Sequence, residues 1–172
     1  MSAPSRVAGA SACLGVAVDL TDLAPVPHDG SHLTAEQVAH IEQYMAQALR
    51  ALDLAHWRVH VARDLPPEDA LLMIDPTAPR RVAHLHVSAG WLDRTAEEKR
   101  TDIAHEALHL AHHDTDTHIR DWLDGSGDVA DYVKGLVMQQ FKTNLERMVD
   151  SLSYVVAPLL PEWTDPETAD GA

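Results

Sequence analysis

The chain has 172 residues, of which 45% are hydrophobic, so it is long enough for one globular domain with a buried core. Its formal net charge of −14 disfavours non-specific binding to nucleic acids and to anionic membranes, because both surfaces are negatively charged. The single cysteine, Cys13, excludes an internal disulfide framework and a cysteine-type zinc ribbon. Any metal would therefore be bound by histidine and carboxylate side chains.

Residues 1–30 are predicted to be a flexible N-terminal segment or a strand laid on the domain. The apolar run from Val7 to Val18 is mostly Ala, Gly and Ser, which is too weakly hydrophobic for a signal peptide. No stretch approaches the roughly 20 apolar residues of a membrane span. We therefore expect a cytoplasmic protein.

A helix and three short strands are predicted next. Thr34 and Gln37 form a capping box, and apolar residues at helical spacing follow them. The period then changes to two, which indicates strands over 57–62, 70–74 and 81–88. The prediction is an α+β fold in which a small sheet of three or more strands packs on helices.

The segment from Thr95 to His113 is predicted to be a helix, because Thr95 and Glu98 form a second capping box. Within it, His105, Glu106 and His109 form an HExxH motif. Residues four apart share one face of a helix, so the two imidazoles can bind one tetrahedral ion. Glu106 lies beside them, where it can take a proton from a metal-bound water. The alternative is a solvated, histidine-rich helix.

The third ligand must come from elsewhere in the chain. His112 lies seven residues beyond His105, a rise of roughly 10.5 Å that one ion cannot span. On a later helix, Glu146 and Asp150 share one face, so Glu146 can complete the site. Asp150 can then accept the free ring N–H of a ligating histidine such as His105. An exposed pair of acidic residues is the alternative.

HExxH followed by ExxxD resembles the gluzincin branch of zinc metallopeptidases, over roughly residues 57–161. The resemblance implies a minimal zincin-like domain over 31–161, with zinc bound by His105, His109 and Glu146. It implies Glu106 as the general base and Asp150 as a carboxylate that supports a ligating histidine. The chain is also similar to small phage and bacterial metallopeptidases, including the ImmA/IrrE-like group. That group also has a histidine four residues after HExxH, here His113, and its last helix ends near a Leu-Leu-x-Pro-like sequence, here Leu159, Leu160 and Pro161.

Two departures from related patterns are present. The sequence does not continue as the metzincin pattern HExxHxxGxxH requires, because His112 and Thr115 stand where that branch has Gly and a third His. The linker from His109 to Glu146 is longer than in the best-known large gluzincins.

The resemblance implies peptide bond hydrolysis, with a peptide or protein as substrate. It also implies that the strand over 81–88 has a free edge that pairs with the substrate. The candidates for stabilising the transition state are His112, His113, His118 and Tyr154. Two other functions stay open. One is a regulatory peptidase specific for one protein partner, and the other is a non-catalytic binding module in which the metal only holds the two helices together. The sequence makes no prediction of oligomeric state.

The remaining predictions concern the C-terminal half. The polar cluster over 112–118 is predicted to be a solvated loop, and Gly125 to Gly127 a break. Asp128 is predicted to cap a long helix that runs to about residue 157. Residues 162–172 are predicted to be a disordered tail. The last helix has apolar residues at spacings of three and four that are predicted to build the core: Val133, Val137, Phe141, Leu145, Met148, Leu152, Val155 and Leu159.

Overall fold

The computed structural model describes residues 32–67, 70–77 and 80–166, so the predicted N-terminal segment lies outside the described residues. The described chain is an α+β fold with a three-stranded mixed sheet and a long C-terminal helix. In chain order its elements are α1 (Ala35–Ala51), β1 (Arg58–Val61), β2 (Leu72–Thr77), β3 (Val82–Val87), α2 (Ala89–Leu92), α3 (Ala96–Gly125), α4 (Asp131–Val156) and a 3₁₀ turn (Ala157–Leu159).

Helix α1 begins as predicted, because the Thr34 hydroxyl accepts a hydrogen bond from the Gln37 N–H and the Gln37 side chain accepts one from the Thr34 N–H. This exchange satisfies two backbone donors that a helix leaves unpaired at its start. One face of the helix is buried against the sheet and α3, through Val38, Ile41, Tyr44, Met45, Ala48 and Leu49.

The sheet has the order β1-β3-β2, in which β1 is parallel and β2 antiparallel to β3. On β3, Ala83, Leu85 and Val87 are buried, while His84 between them is exposed. Because β3 is paired on both sides, the expectation that this strand offers a free edge to a substrate is wrong. The edge strand that contacts α3 is β2.

Helix α3 begins at the predicted Thr95 capping box but continues to Gly125, well past the predicted end. The prediction of a loop over 112–118 is therefore wrong. No Gly or Pro interrupts 96–124, and the Arg120 guanidinium bonds the Asp116 carboxylate one turn earlier at 2.7 Å. Polar composition alone does not end a helix when every backbone group can still pair.

Helix α4 follows a turn over 126–130, and the prediction of Asp128 as its cap is wrong. Its cap residue is Ala130, which has no side-chain hydrogen bond to the helix. Only Val149 and Ser153 are buried on α4, so the predicted core role of its apolar residues is also wrong for most of them. The exposed members of that set are Val133, Val137, Met148, Leu152, Val155 and Leu159.

The chain after the 3₁₀ turn packs against α1 and α3, although a disordered tail is predicted from residue 162. Trp163 is buried, with its ring centroid 4.7 Å from that of Tyr44 and 5.3 Å from that of Trp91. Lys99 is only 3% exposed, and its ammonium group bonds the Asp165 carboxylate at 2.8 Å. The tail prediction is therefore wrong for 162–166, and 167–172 lie outside the described residues.

No helix in the described part of the chain combines the length and the apolar character that crossing a membrane requires.

Replacing Trp163 with Ala should lower the free energy of unfolding by about 3 kcal/mol, because the change removes a buried aromatic ring and leaves a cavity. The neighbouring Glu162 is exposed, so Glu162→Ala should change the free energy of unfolding by less than about 0.5 kcal/mol. Urea unfolding of the two variants measures the difference. Equal stabilities would contradict the docked position of this segment.

The Tyr44 hydroxyl donates a hydrogen bond of 2.6 Å to the Pro161 carbonyl, and burial raises the pKa of Tyr44 to about 12. A raised folded-state pKa means that stability is fully present below pH 10 and is lost as the pH rises toward 12. Tyr44→Phe should reduce this alkaline loss, at a cost of about 1 kcal/mol at neutral pH. The midpoints of urea unfolding between pH 7 and pH 12 measure both effects. If the midpoint of Tyr44→Phe fell with alkaline pH as steeply as that of the wild-type chain, Tyr44 would not be the group responsible.

Candidate metal centre

His105 and His109 lie one turn apart on α3, and the helix brings their rings together. Their centroids are 4.8 Å apart, and the two Nε2 atoms are separated by 3.0 Å. The residues behind them on the helix, Ile103, Ala104 and Ala107, are fully buried. Both imidazoles are partly exposed, with 22% of each side chain accessible. The buried side of α3 therefore fixes the helix while the ring pair faces an accessible site.

Glu146 reaches the same point from α4. Its Oε2 atom lies 3.7 Å from the His105 Nε2 and 3.6 Å from the His109 Nε2. The long linker between His109 and Glu146 is accommodated by helix, because α3 runs 16 residues beyond His109 and α4 returns by 15 residues to Glu146. Two such helices, joined by a short turn and packed side by side, place those positions level with each other.

These three donor atoms have the spacing that a small tetrahedral ion needs. A triangle with sides of 3.0, 3.6 and 3.7 Å has its centre about 2.0 Å from each corner. Zinc binds histidine nitrogen at about 2.0–2.1 Å and carboxylate oxygen at about 2.0–2.2 Å. His105, His109 and Glu146 are thus a group that could hold a metal ion.

Asp150 lies one turn after Glu146, beside the other nitrogen of the His105 ring. The Asp150 Oδ1 atom is 3.1 Å from the His105 Nδ1 atom. A proton on Nδ1 can be donated to this carboxylate, which leaves the Nε2 lone pair for an ion. The structure therefore places the predicted second carboxylate where it can orient a ligand.

The charge of the site also favours a cation. Burial lowers the pKa of His109, and the neighbouring His105 and His112 lower it further, whereas the Glu146 carboxylate opposes them. A lowered pKa favours the neutral imidazole, which is the form that binds metal. Glu146 adds a carboxylate oxygen to the two histidine nitrogens.

Glu106 is held beside the three donors, beneath the edge strand of the sheet. It is 6% exposed, and its Oε2 atom accepts a hydrogen bond of 2.8 Å from the Ile74 N–H on β2. Burial raises the pKa of Glu106 to about 8, and the charges of Glu146 and Asp102 act in the same direction, while the bond from Ile74 opposes the rise. A carboxyl group with a pKa near neutrality is suited to proton transfer.

The four candidates for stabilising a transition state lie in different places. His112 is near enough to His109 to affect its pKa. His113 contacts the Trp57 ring edge-on at 5.3 Å between centroids, and its buried Nε2 atom has no hydrogen-bond partner in the described parts of the chain. His118 is nine residues beyond His109, about 13.5 Å along the helix, so it is too far away. Tyr154 is 73% exposed, one turn beyond Asp150.

The backbone N–H of Ile74 is the member of the site that sequence reasoning missed. Its role depends on which strand lies at the sheet edge and on which backbone groups point away from β3, and residue types do not encode either. The alternating pattern before the HExxH helix indicates that strands are present but not their order.

Comparison of the chain with known protein families, with curated proteins and with solved structures finds no match.

Metal affinity should separate the carboxylates of α4. The chain should bind one divalent ion; Glu146→Gln should lower the affinity most, because it removes a donor, and Asp150→Asn should lower it by about 10- to 100-fold through the orientation of His105. Asp131→Asn, at an exposed carboxylate on the same helix, should have no effect. Competition with a chelator and elemental analysis measure these affinities. Wild-type affinity in Glu146→Gln would remove Glu146 as a ligand.

Proposed function

We propose that this protein is a zinc-dependent peptidase with a minimal gluzincin-like site, which hydrolyses peptide bonds. The observation that carries the proposal is the placement of two imidazole nitrogens and one carboxylate oxygen about 2.0 Å from a common centre. A buried carboxyl group, Glu106, lies next to them and contacts the edge of a sheet. Ligands, a base and a substrate-binding edge are the parts that this chemistry requires.

The donor set supports zinc among the divalent ions. Two imidazoles and one carboxylate form the His₂Glu set of catalytic zinc sites, which use three protein ligands and keep a fourth position open. Glu146 is about half exposed as a side chain, so the site has an accessible side. A structural zinc site would instead be closed by four protein ligands.

When bound, zinc supplies Lewis acidity that polarises a carbonyl and lowers the pKa of water toward about 7. The chain's own groups would do the rest. Glu106 takes a proton from the attacking water and delivers it to the leaving amine. The Ile74 N–H holds the Glu106 carboxylate in position, and Asp150 holds the ring of His105. His112, one turn beyond His109, is the best placed of the four histidine and tyrosine candidates to assist.

The substrate would bind along β2. The Ile74 N–H points away from β3 and is already bonded to Glu106, so a substrate would use the other outward-facing backbone groups of β2, with which no other described strand pairs. An extended peptide can add to such an edge through main-chain hydrogen bonds. A peptide bound there would have its scissile bond beside the residues of α3, since β2 and α3 are in contact.

Replacing Glu106 with Gln tests the proposal, because Gln can still accept the Ile74 hydrogen bond but cannot take a proton. Loaded with zinc, the variant should lose about 10²- to 10⁴-fold in the rate of cleavage of quenched fluorescent peptides. It should retain one bound ion, as shown by elemental analysis.

Glu97→Gln is the matched control, since Glu97 is an exposed carboxylate in the first turn of the same helix. Its rate should equal that of the wild-type chain. Wild-type cleavage that survives both Glu106→Gln and chelation would rule out this mechanism. A zinc-loaded chain that keeps its biological effect after Glu106→Gln would favour the non-catalytic binding module.

A further inference from the structure

Helix α4 carries a row of mostly apolar side chains on the side away from the metal centre. We call this row the outer stripe; its members are Val133, Val137, Phe141, Asn144, Met148, Leu152 and Val155. Val137 is 40% exposed and Val155 is 67% exposed. At 100° per residue, Glu146 lies about 180° round the helix from Val137. The outer stripe and the candidate ligand therefore occupy opposite faces of α4.

Most of the outer stripe is exposed within the described part of the chain, and only Phe141 among its members is partly buried. Helix α4 packs on α3 and on the 3₁₀ turn through a different side, and its first buried residue is Val149, nearly three-quarters of the way along. Single exposed hydrophobic residues are normal on a protein surface, but a mostly apolar row that spans 23 residues, about 33 Å of helix, marks an interaction surface.

The spacing of the outer stripe is self-complementary. From Val133 to Leu152 the intervals are four, four, three, four and four residues, which read the same from either end. Two antiparallel copies of α4 can therefore pair Val133 with Leu152, Val137 with Met148 and Phe141 with Asn144. An interface related by a two-fold axis needs such self-complementarity. The period of about 3.67 residues keeps the row on one side of a straight helix.

The charge of α4 also favours a second copy. The helix has three acidic residues (Asp131, Glu146 and Asp150) and three basic residues (Lys134, Lys142 and Arg147), so its net charge is zero. The whole chain has a formal net charge of −14, which opposes contact between copies at most surfaces. Helix α4 has no net charge of its own, so it adds nothing to that repulsion.

We propose that the outer stripe is a homodimer interface, in which the α4 helices of two copies pack antiparallel about a two-fold axis between Phe141 and Asn144. Asn144 sits near the axis, and its side-chain oxygen accepts a hydrogen bond of 3.1 Å from the Gln140 amide. A single polar residue within an apolar helix interface fixes the register of the pair. The metal-facing side of each α4 stays open, and the inference does not depend on the proposed peptidase activity.

The full chain should be a dimer that dissociates on dilution through the micromolar range in sedimentation equilibrium. Val137→Asp and Met148→Asp should each weaken it by at least about 100-fold, because both place a charge in the apolar interface. Tyr132→Asp is the matched control, since Tyr132 is 76% exposed on the same helix and lies about 140° round it from Val137. This control should associate like the wild-type chain.

The register has its own test in a Cys13→Ser background. A mixture of Val137→Cys and Met148→Cys chains should form a disulfide-linked heterodimer on oxidation. Neither should cross-link with itself, because equivalent positions would be displaced by about 16.5 Å along the helices, beyond the reach of a disulfide. Efficient cross-linking of Val137→Cys with itself would overturn the antiparallel arrangement.

Two other results would overturn the interface. A dimer that persists in both Asp variants would be formed by a different surface. A chain that is monomeric at every concentration, and that Val137→Asp destabilises against urea, would mean that a segment of the same chain covers the outer stripe. Circular dichroism of each variant checks that the fold is retained, which we expect because the substituted side chains are exposed in the single chain.

Discussion

The contact between α3 and α4 is the constraint on which the candidate site depends. His105 and His109 are placed by one helix. They become part of a three-donor group only because the Glu146 Oε2 atom lies within 3.7 Å of both Nε2 atoms. That atom arrives because both helices are long, nearly matched in length and joined by a short turn. A shift of α4 by one residue would rotate Glu146 by about 100° and remove it from the ring pair. The helical hairpin therefore sets the geometry of the site.

The second constraint joins the site to the sheet. The Ile74 N–H belongs to the strand at the sheet edge, and it donates to Glu106, the residue after the first histidine of HExxH. Burial of this carboxyl group is costly when it is charged, which is why its pKa is raised to about 8. A hydrogen bond to the charged form offsets part of that cost, and a cation bound nearby would offset more of it. The order of the strands thus has a chemical consequence, because the edge strand supplies the group that holds the proposed base.

Local signals in the sequence predicted much of this arrangement, and they failed where packing between distant segments decides. The Thr34 and Thr95 capping boxes each mark a helix start, because their hydrogen bonds are local. The four-residue spacings in HExxH and from Glu146 to Asp150 likewise fix a shared helix face. Helical spacing on α4 indicates an apolar face, but it cannot say whether another part of the chain covers that face. Composition likewise suggested a tail after Pro161, whereas the fit of one indole ring against Tyr44 and Trp91 orders the segment.

Helix α4 is consequently held from one side only. Its first buried residue is Val149, so Glu146 lies just before the part of the helix that the core secures. An ion bound between α3 and α4 would add a bond at Glu146, and a second copy of the chain on the outer stripe would add packing contacts along the opposite face. The two contacts would lie on opposite faces of α4, so neither would block the other.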